Sequence, residues 1–159
     1  MRMFLFSSVL GLTVLSMSPL VYADDSRDQS RDQRKPENPS LAAARKAIQA
    51  RDFTTALQHL TVAAQDTPND ADVQSLLGYS YRKLGDYDKS MEYYQKALAI
   101  DANHRGTREY LGELYLDMNQ PAEAEKQLVA LKKACPLFFK CEEYEDLKSA
   151  IARYKAAKK

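Results

Sequence analysis

The sequence predicts an all-α fold, a short stack of helical hairpins closed by one further helix. Three observations carry that expectation. A phrase is written twice at a spacing of 34 residues: Leu77, Gly78, Tyr81 and Leu84 return in register as Leu111, Gly112, Tyr115 and Met118. Only 5 glycines occur in 159 residues, beside many alanines, leucines, lysines and glutamines, which favours helix over a turn-rich β fold. Near the C-terminus, Tyr144, Leu147, Ile151 and Tyr154 recur at three- and four-residue intervals, one apolar seam on a helix.

The length suits one modest domain or a short repeat array. With 23 basic against 22 acidic side chains, the charge gives no reason to expect nucleic acid or an anionic membrane as partner. Two cysteines and two histidines are almost no material for a Cys/His metal cluster.

Residues 1–23 read as a signal peptide. Arg2 supplies the positive start, an uncharged apolar run begins at Phe4, and Val21 and Ala23 place small residues at the −3 and −1 positions of a cleavage site. An uncleaved anchor is the alternative, since about 17 apolar residues nearly span a bilayer. The expected protein is exported and periplasmic, with secretion or N-terminal anchoring as alternatives, and without membrane contact once the signal is removed. Residues 24–39 carry no apolar side chain and repeat "SRDQ" in tandem, so a disordered polar linker is expected there.

Three helix–turn–helix units follow within 40–138, at about 37–70, 71–104 and 105–138. Steps of 34 connect small residues (Ala56, Ser90, Ala124) and large apolar ones (Leu60, Tyr94, Leu128). Small side chains, with Gly78 and Gly112, let paired helices approach, and the large ones fill the space between units. One unit cannot bury its apolar face alone, so stacking completes the core.

The series Leu77–Gly78–Tyr81, Gly85, Tyr87, Tyr94, Ala97 resembles the tetratricopeptide repeat (TPR). The third unit matches through Leu111–Gly112–Tyr115, Ala124, Leu128 and Pro136. The first matches at Phe53, Ala56, Leu60, Ala63 and Pro68 but has Ala43, Ala44 and Ala47 in place of Leu, Gly and Tyr. Further departures are Ala102 in place of proline, and Pro121 and Leu131 in the third unit. The resemblance implies a right-handed α-solenoid of about three TPR units, and residues 139–159 would be its C-terminal capping helix, with Glu, Lys and Arg on the wet side.

Cys135 and Cys141 are expected to form a disulfide in an oxidising compartment; free or reversible thiols, or a metal site, are the alternatives. The chain has no glycine-rich phosphate loop, no Gly-x-Ser-x-Gly, and no His-Glu-x-x-His. His59, on an outer helix face, and His104, in a turn, show no partner in sequence. An enzyme is therefore not expected, nor a cofactor or metal.

The TPR resemblance implies instead a concave groove, lined by the first helix of each unit, that grips a protein or peptide ligand. The rows expected along it include Arg45, Ile48, Ser75, Tyr79, Arg82, Lys83, Glu109, Glu113 and Leu116, graded from basic to acidic with Tyr79 between. Leu41 and Arg45 stand where a carboxylate-clamping TPR would carry clamp residues, so that clamp is not reproduced. The expected function is a non-catalytic adaptor or assembly factor in the bacterial envelope. The alternative is a small periplasmic redox or metal-handling protein using Cys135 and Cys141. A monomer, or weak self-association through Phe138 and Phe139, is expected.

Overall fold

Five helix starts among the described residues are set by a polar side-chain cap. The computed structural model describes residues 38–136 and 140–158, and these form seven helices. They are α1 (Pro39–Gln49), α2 (Phe53–Asp66), α3 (Ala71–Lys83), α4 (Tyr87–Ile100), α5 (Arg105–Asp117), α6 (Pro121–Ala134) and α7 (Glu142–Ala157). The signal peptide expected over 1–23, most of the expected linker, and Phe138 with Phe139 lie outside the described residues. The last two linker positions belong to the fold. Asn38 caps α1 by accepting the Ser40 and Leu41 amides, and Pro39 takes the first helical position, where its missing N–H costs nothing.

Four more starts repeat this device. Asp52, Asp70 and Asp86 accept the amides of Thr55, Val73 and Lys89, and His104 accepts that of Thr107. Each hairpin turns through one left-handed residue: Arg51 at φ 59°, Gly85 at φ 85° and Asn119 at φ 58°. After each, an amide reaches back to a carbonyl in the finished helix: Asp52 to Ala47, Asp86 to Tyr81 and Gln120 to Tyr115. Glycine and asparagine tolerate this conformation. Arginine does so at a cost of about 1 kcal/mol.

The hairpins α1–α2, α3–α4 and α5–α6 stack in chain order, α2 on α3 and α4 on α5, and α7 packs on both α5 and α6. The all-α solenoid expected from the sequence is the observed fold. Leu41, Ala44, Leu60, Val73 and Leu77 fill the first interface, and Tyr94, Leu111 and Leu114 the second. In the alanine-rich first helix Ala44 is fully buried at the place of Gly78.

The second and third hairpins solve one packing problem differently. A Cβ on Gly78 would lie 2.6 Å from the Tyr94 ring and 3.1 Å from the Ser90 carbonyl oxygen, so only glycine fits beneath that aromatic. A Cβ on Gly112 would instead meet Leu147 of α7 at 2.5 Å. The counterpart of Tyr94 in the third hairpin is Leu128, which is only half-buried. Leu131, larger than its counterparts Ala63 and Ala97, joins Leu116, Ala124, Leu147 and Ile151 in a third cluster. The space over Gly112 is thus taken by the last helix. Leu147 and Ile151 of the expected apolar seam are buried, and Tyr144 and Tyr154 pack beside them. Tyr154 also donates its hydroxyl to the Asn119 side chain at 3.0 Å.

Two further contacts complete the stack. Where Ala102 replaces the proline of a TPR unit, its carbonyl accepts from the Arg108 guanidinium at 2.6 and 3.0 Å, which secures the turn by other means. At the far end the Cys135 and Cys141 sulfurs stand 1.98 Å apart, disulfide distance, joining the end of α6 to the residue that precedes α7. A bridge closing so short a loop contributes about 2 kcal/mol on the chain-entropy account. The double variant Cys135→Ser/Cys141→Ser should lose about that much in urea unfolding, and an unchanged midpoint would show that the bridge stabilises nothing.

Candidate functional site

The first helices α1, α3 and α5 share one face, and the side chains along it are heavily interlinked. Asp72, at the start of α3, accepts from Arg45 of α1 at 3.0 Å and from His104 Nε2 at 3.0 Å. Because His104 Nδ1 accepts the Thr107 amide at 3.1 Å, Nε2 is the nitrogen that carries the proton toward Asp72. The His104 hydrogen bond, and after it the Arg45 charge, hold the Asp72 carboxyl below its ordinary value, although half-burial works against them. One carboxylate thereby links all three first-helix segments.

Two turns along, Tyr79 of α3 forms an aromatic bridge. Its ring lies 4.8 Å from that of Tyr110 on α5 and 6.0 Å, edge-on, from that of Phe53 on α2. The Lys83 ammonium sits 5.3 Å from the centre of the Tyr79 ring. Burial raises the phenol pKa of both tyrosines, that of Tyr110 to about 12. At the same level a recess of about 260 Å³ opens, lined by Ile48, Gln49, Arg51, Phe53, Tyr79 and Lys83.

Beyond the aromatic bridge lies Arg82, whose side chain is only 9% exposed. Its Nε donates to Asp117 at 2.7 Å and its Nη1 to Glu113. Burial disfavours its charge, but these two carboxylates outweigh that and raise its pKa. Next to this cluster, Glu109 is pushed from its ordinary 4.5 to about 8, first by burial and then by Glu113, Asp146 and Glu143. Two of those acids belong to α7, so the last helix helps to set the charge state of this end of the face.

A carboxyl with a raised folded pKa binds more protons folded than unfolded between the two values. Stability from Glu109 is therefore fully present below about 4.5 and is lost as pH rises through about 8. Asp72, whose pKa is lowered, acts in the opposite sense, and its contribution is lost at lower pH still. Thermal midpoints should fall from pH 5 to pH 8, and Glu109→Gln should flatten that slope; an equal slope in the variant would exclude Glu109 as its source.

Of the residues expected to line the groove, Ile48, Tyr79 and Lys83 meet at the recess. Glu109 and Glu113 are half-buried at the α7 end, together with Arg82. Two expectations are corrected. Ser75 is 2% exposed, on a helix packed by α2, α4 and α5, and Leu116 is 8% exposed beneath α7. Neither offers surface to a ligand. The basic-to-acidic grading is also largely satisfied within the fold, because Arg45 and Arg82 both hold carboxylates.

Sequence reading missed the Asp72–His104 pairing, the aromatic partners Phe53 and Tyr110, and Arg51 at the recess. The 34-residue phase already places Asp72 and Tyr110 on the first-helix face. Phe53 registers in sequence as a repeat position of the first unit, not as a partner of Tyr79.

The central hairpin, from Ala71 to His104, matches the family model described as Tetratricopeptide repeat. Residues 71–104 are a tetratricopeptide repeat. The hairpins on either side stack on this central one, α2 on α3 and α5 on α4. Among solved structures, the type III secretion translocator chaperone SycD of Yersinia enterocolitica is similar, with a TM-score of 0.65, 18% identity, and coverage of 75% of this chain and 83% of that one. A second SycD structure, in complex with a peptide of the translocator YopD, has a TM-score of 0.62 at 18% identity and covers 76% and 92%. The first TPR of Spaghetti (RPAP3), bound to the HSP90 peptide SRMEEVD, has a TM-score of 0.61 at 13% identity and covers 74% and 91%. These likenesses concern the TPR fold. No curated protein matches the chain significantly.

Proposed function

We propose that this TPR chain is a non-catalytic protein-interaction module that holds a protein or peptide segment on the face of α1, α3 and α5. The observation that carries the reading is the recess beside the Tyr79–Tyr110 bridge, where aromatic and cationic side chains remain open to a ligand. Aromatic rings and arginines are the usual anchors of protein interfaces. Two of the similar TPR structures contain a bound peptide, which supports the same use of the fold here. Among the described residues no group of three or more His, Cys, Asp or Glu is placed to hold a metal ion.

The place of work we infer is the bacterial envelope, as an adaptor or assembly factor. That inference rests on the signal-peptide pattern of residues 1–23 and on the cysteine pair at disulfide distance. Among the described residues no helix is long and apolar enough to cross a membrane.

Affinity capture from envelope extract, with the mature chain as bait, tests the reading. Phe53→Ala/Tyr79→Ala should lose the captured partner while far-UV circular dichroism stays unchanged. Capture that survives this pair of substitutions would rule out the α1–α3–α5 face as the binding surface.

A further inference from the structure

The cations along the first-helix face divide into two sets. Arg45 is committed to Asp72, and Arg82 to Glu113 and Asp117. Arg51 and Lys83 form no ion pair among the described residues, and both line the recess, with Ile48, Phe53 and Tyr79 as its apolar and aromatic walls. Arg45 and Arg82, the other two arginines expected along the groove, are thus held by carboxylates, whereas the two cations at the recess have none among the described residues.

Arg51 carries a second, independent observation. It occupies the left-handed turn position at φ 59° where the other two hairpins use Gly85 and Asn119. A glycine there would be free of strain, so the arginine is held against a local conformational cost. Strain of this kind gathers where a side chain is needed at a ligand. Here the strained residue is one of the two unpaired cations on the rim.

We propose that this recess is a specificity pocket for an acidic peptide segment, seating one large aliphatic or aromatic side chain while a neighbouring Asp or Glu pairs with Arg51 and Lys83. The inference rests on the peptide-binding reading above and adds the chemistry of the partner. A volume of about 260 Å³ is below that of sites for whole drug-sized molecules, which start at roughly 300 Å³, and it suits a single side chain. The arginine fork recognises a carboxylate by two parallel hydrogen bonds, and the ammonium over the Tyr79 ring supplies a point charge beside it. Lys83 leaves that ring when it meets the carboxylate, and the bound side chain takes its place against Tyr79.

Fluorescence anisotropy of the full chain with three labelled peptides tests the assignment: Gly-Asp-Leu-Phe-Glu-Gly, its basic counterpart Gly-Lys-Leu-Phe-Lys-Gly, and the apolar-free Gly-Asp-Ser-Ser-Glu-Gly. The first should bind about ten-fold more tightly than either control, and the difference should shrink at high salt. Arg51→Gly and Lys83→Gln should each weaken it about ten-fold. Arg51→Gly should at the same time melt a few degrees higher, since it relieves the turn, so lost binding could not be blamed on lost folding. Equal affinity for the acidic and basic peptides, full affinity in Arg51→Gly, or no binding by any of the three would overturn the pocket. Partner capture that depends on Phe53 and Tyr79 but ignores Arg51 would overturn it while leaving the peptide-binding reading in place.

Discussion

Tyr94→Ala is expected to lower the unfolding free energy by about 4 kcal/mol. The ring is fully buried and covers Gly78 so closely that no Cβ fits beneath it. Truncation leaves a cavity that backbone on one side and a glycine on the other cannot fill. In a stack stabilised by nearest neighbours the middle hairpin couples the outer two, so the transition should broaden as well as shift. Such a loss is a large fraction of the 5–15 kcal/mol typical of a whole domain. Tyr94→Phe is the control: the hydroxyl has no hydrogen-bond partner of good geometry among the described residues, and its removal should cost under about 1 kcal/mol. Urea unfolding followed by circular dichroism measures both variants. A loss below about 1 kcal/mol for Tyr94→Ala would mean that the α3–α4 pair does not depend on this ring.

The second large effect is expected at Arg82. Arg82→Leu removes a nearly buried guanidinium and leaves Glu113 and Asp117 without their partner, beside a Glu109 already pushed to about 8. Breaking a fully buried pair costs about 3–5 kcal/mol, and because the two carboxylates are 24% and 36% exposed the expected loss here is about 2 kcal/mol at pH 8. Toward pH 5 the loss should shrink, because carboxyls crowded without a cation take up protons more readily. Melting the variant and the parent chain across that range gives the comparison. A pH-independent difference would locate the effect in packing of the arginine stem and not in the charges. Arg82 is in this account a brace between α3 and α5, and a binding defect in its variants would have to be read beside their stability.

The architecture was largely legible because hairpin stacking leaves a periodic trace. Gly78 and Gly112 recur at 34 residues, and at both a side chain from another helix occupies the space a Cβ would need. The seam from Tyr144 to Tyr154 is a helix face that packs on the stack. What covers Gly112 was not legible. The phase points to Leu128 as the counterpart of Tyr94, whereas Leu147 takes that space from a helix outside the repeat. A repeat pattern compares positions within units and is blind to an element that has no unit of its own.

The candidate site was legible only as a face. Stepping along the phase found Ile48, Tyr79 and Lys83 at the recess, but it counted Ser75 and Leu116 as surface and treated Arg45 and Arg82 as available charge. Exposure and pairing depend on which neighbouring helix arrives where, and a list of positions on one helix does not contain that information.

The order of elements, their lengths and their pairing follow from the chain's own local chemistry. Capping by Asp52, Asp70 and Asp86 and the left-handed turns act within a few residues and need no distant partner, and the apolar stripe on each helix marks the face that will be paired. The tertiary structure alone decided which cations remain unpaired. Arg51 stays exposed at its strained turn while Arg45 and Arg82 find carboxylates on the next unit, and α7 closes over Leu116 and crowds Glu109. The physical reason is range. Helix signals are read along the backbone, whereas charge pairing and burial are settled across space by side chains separated by about 30 residues.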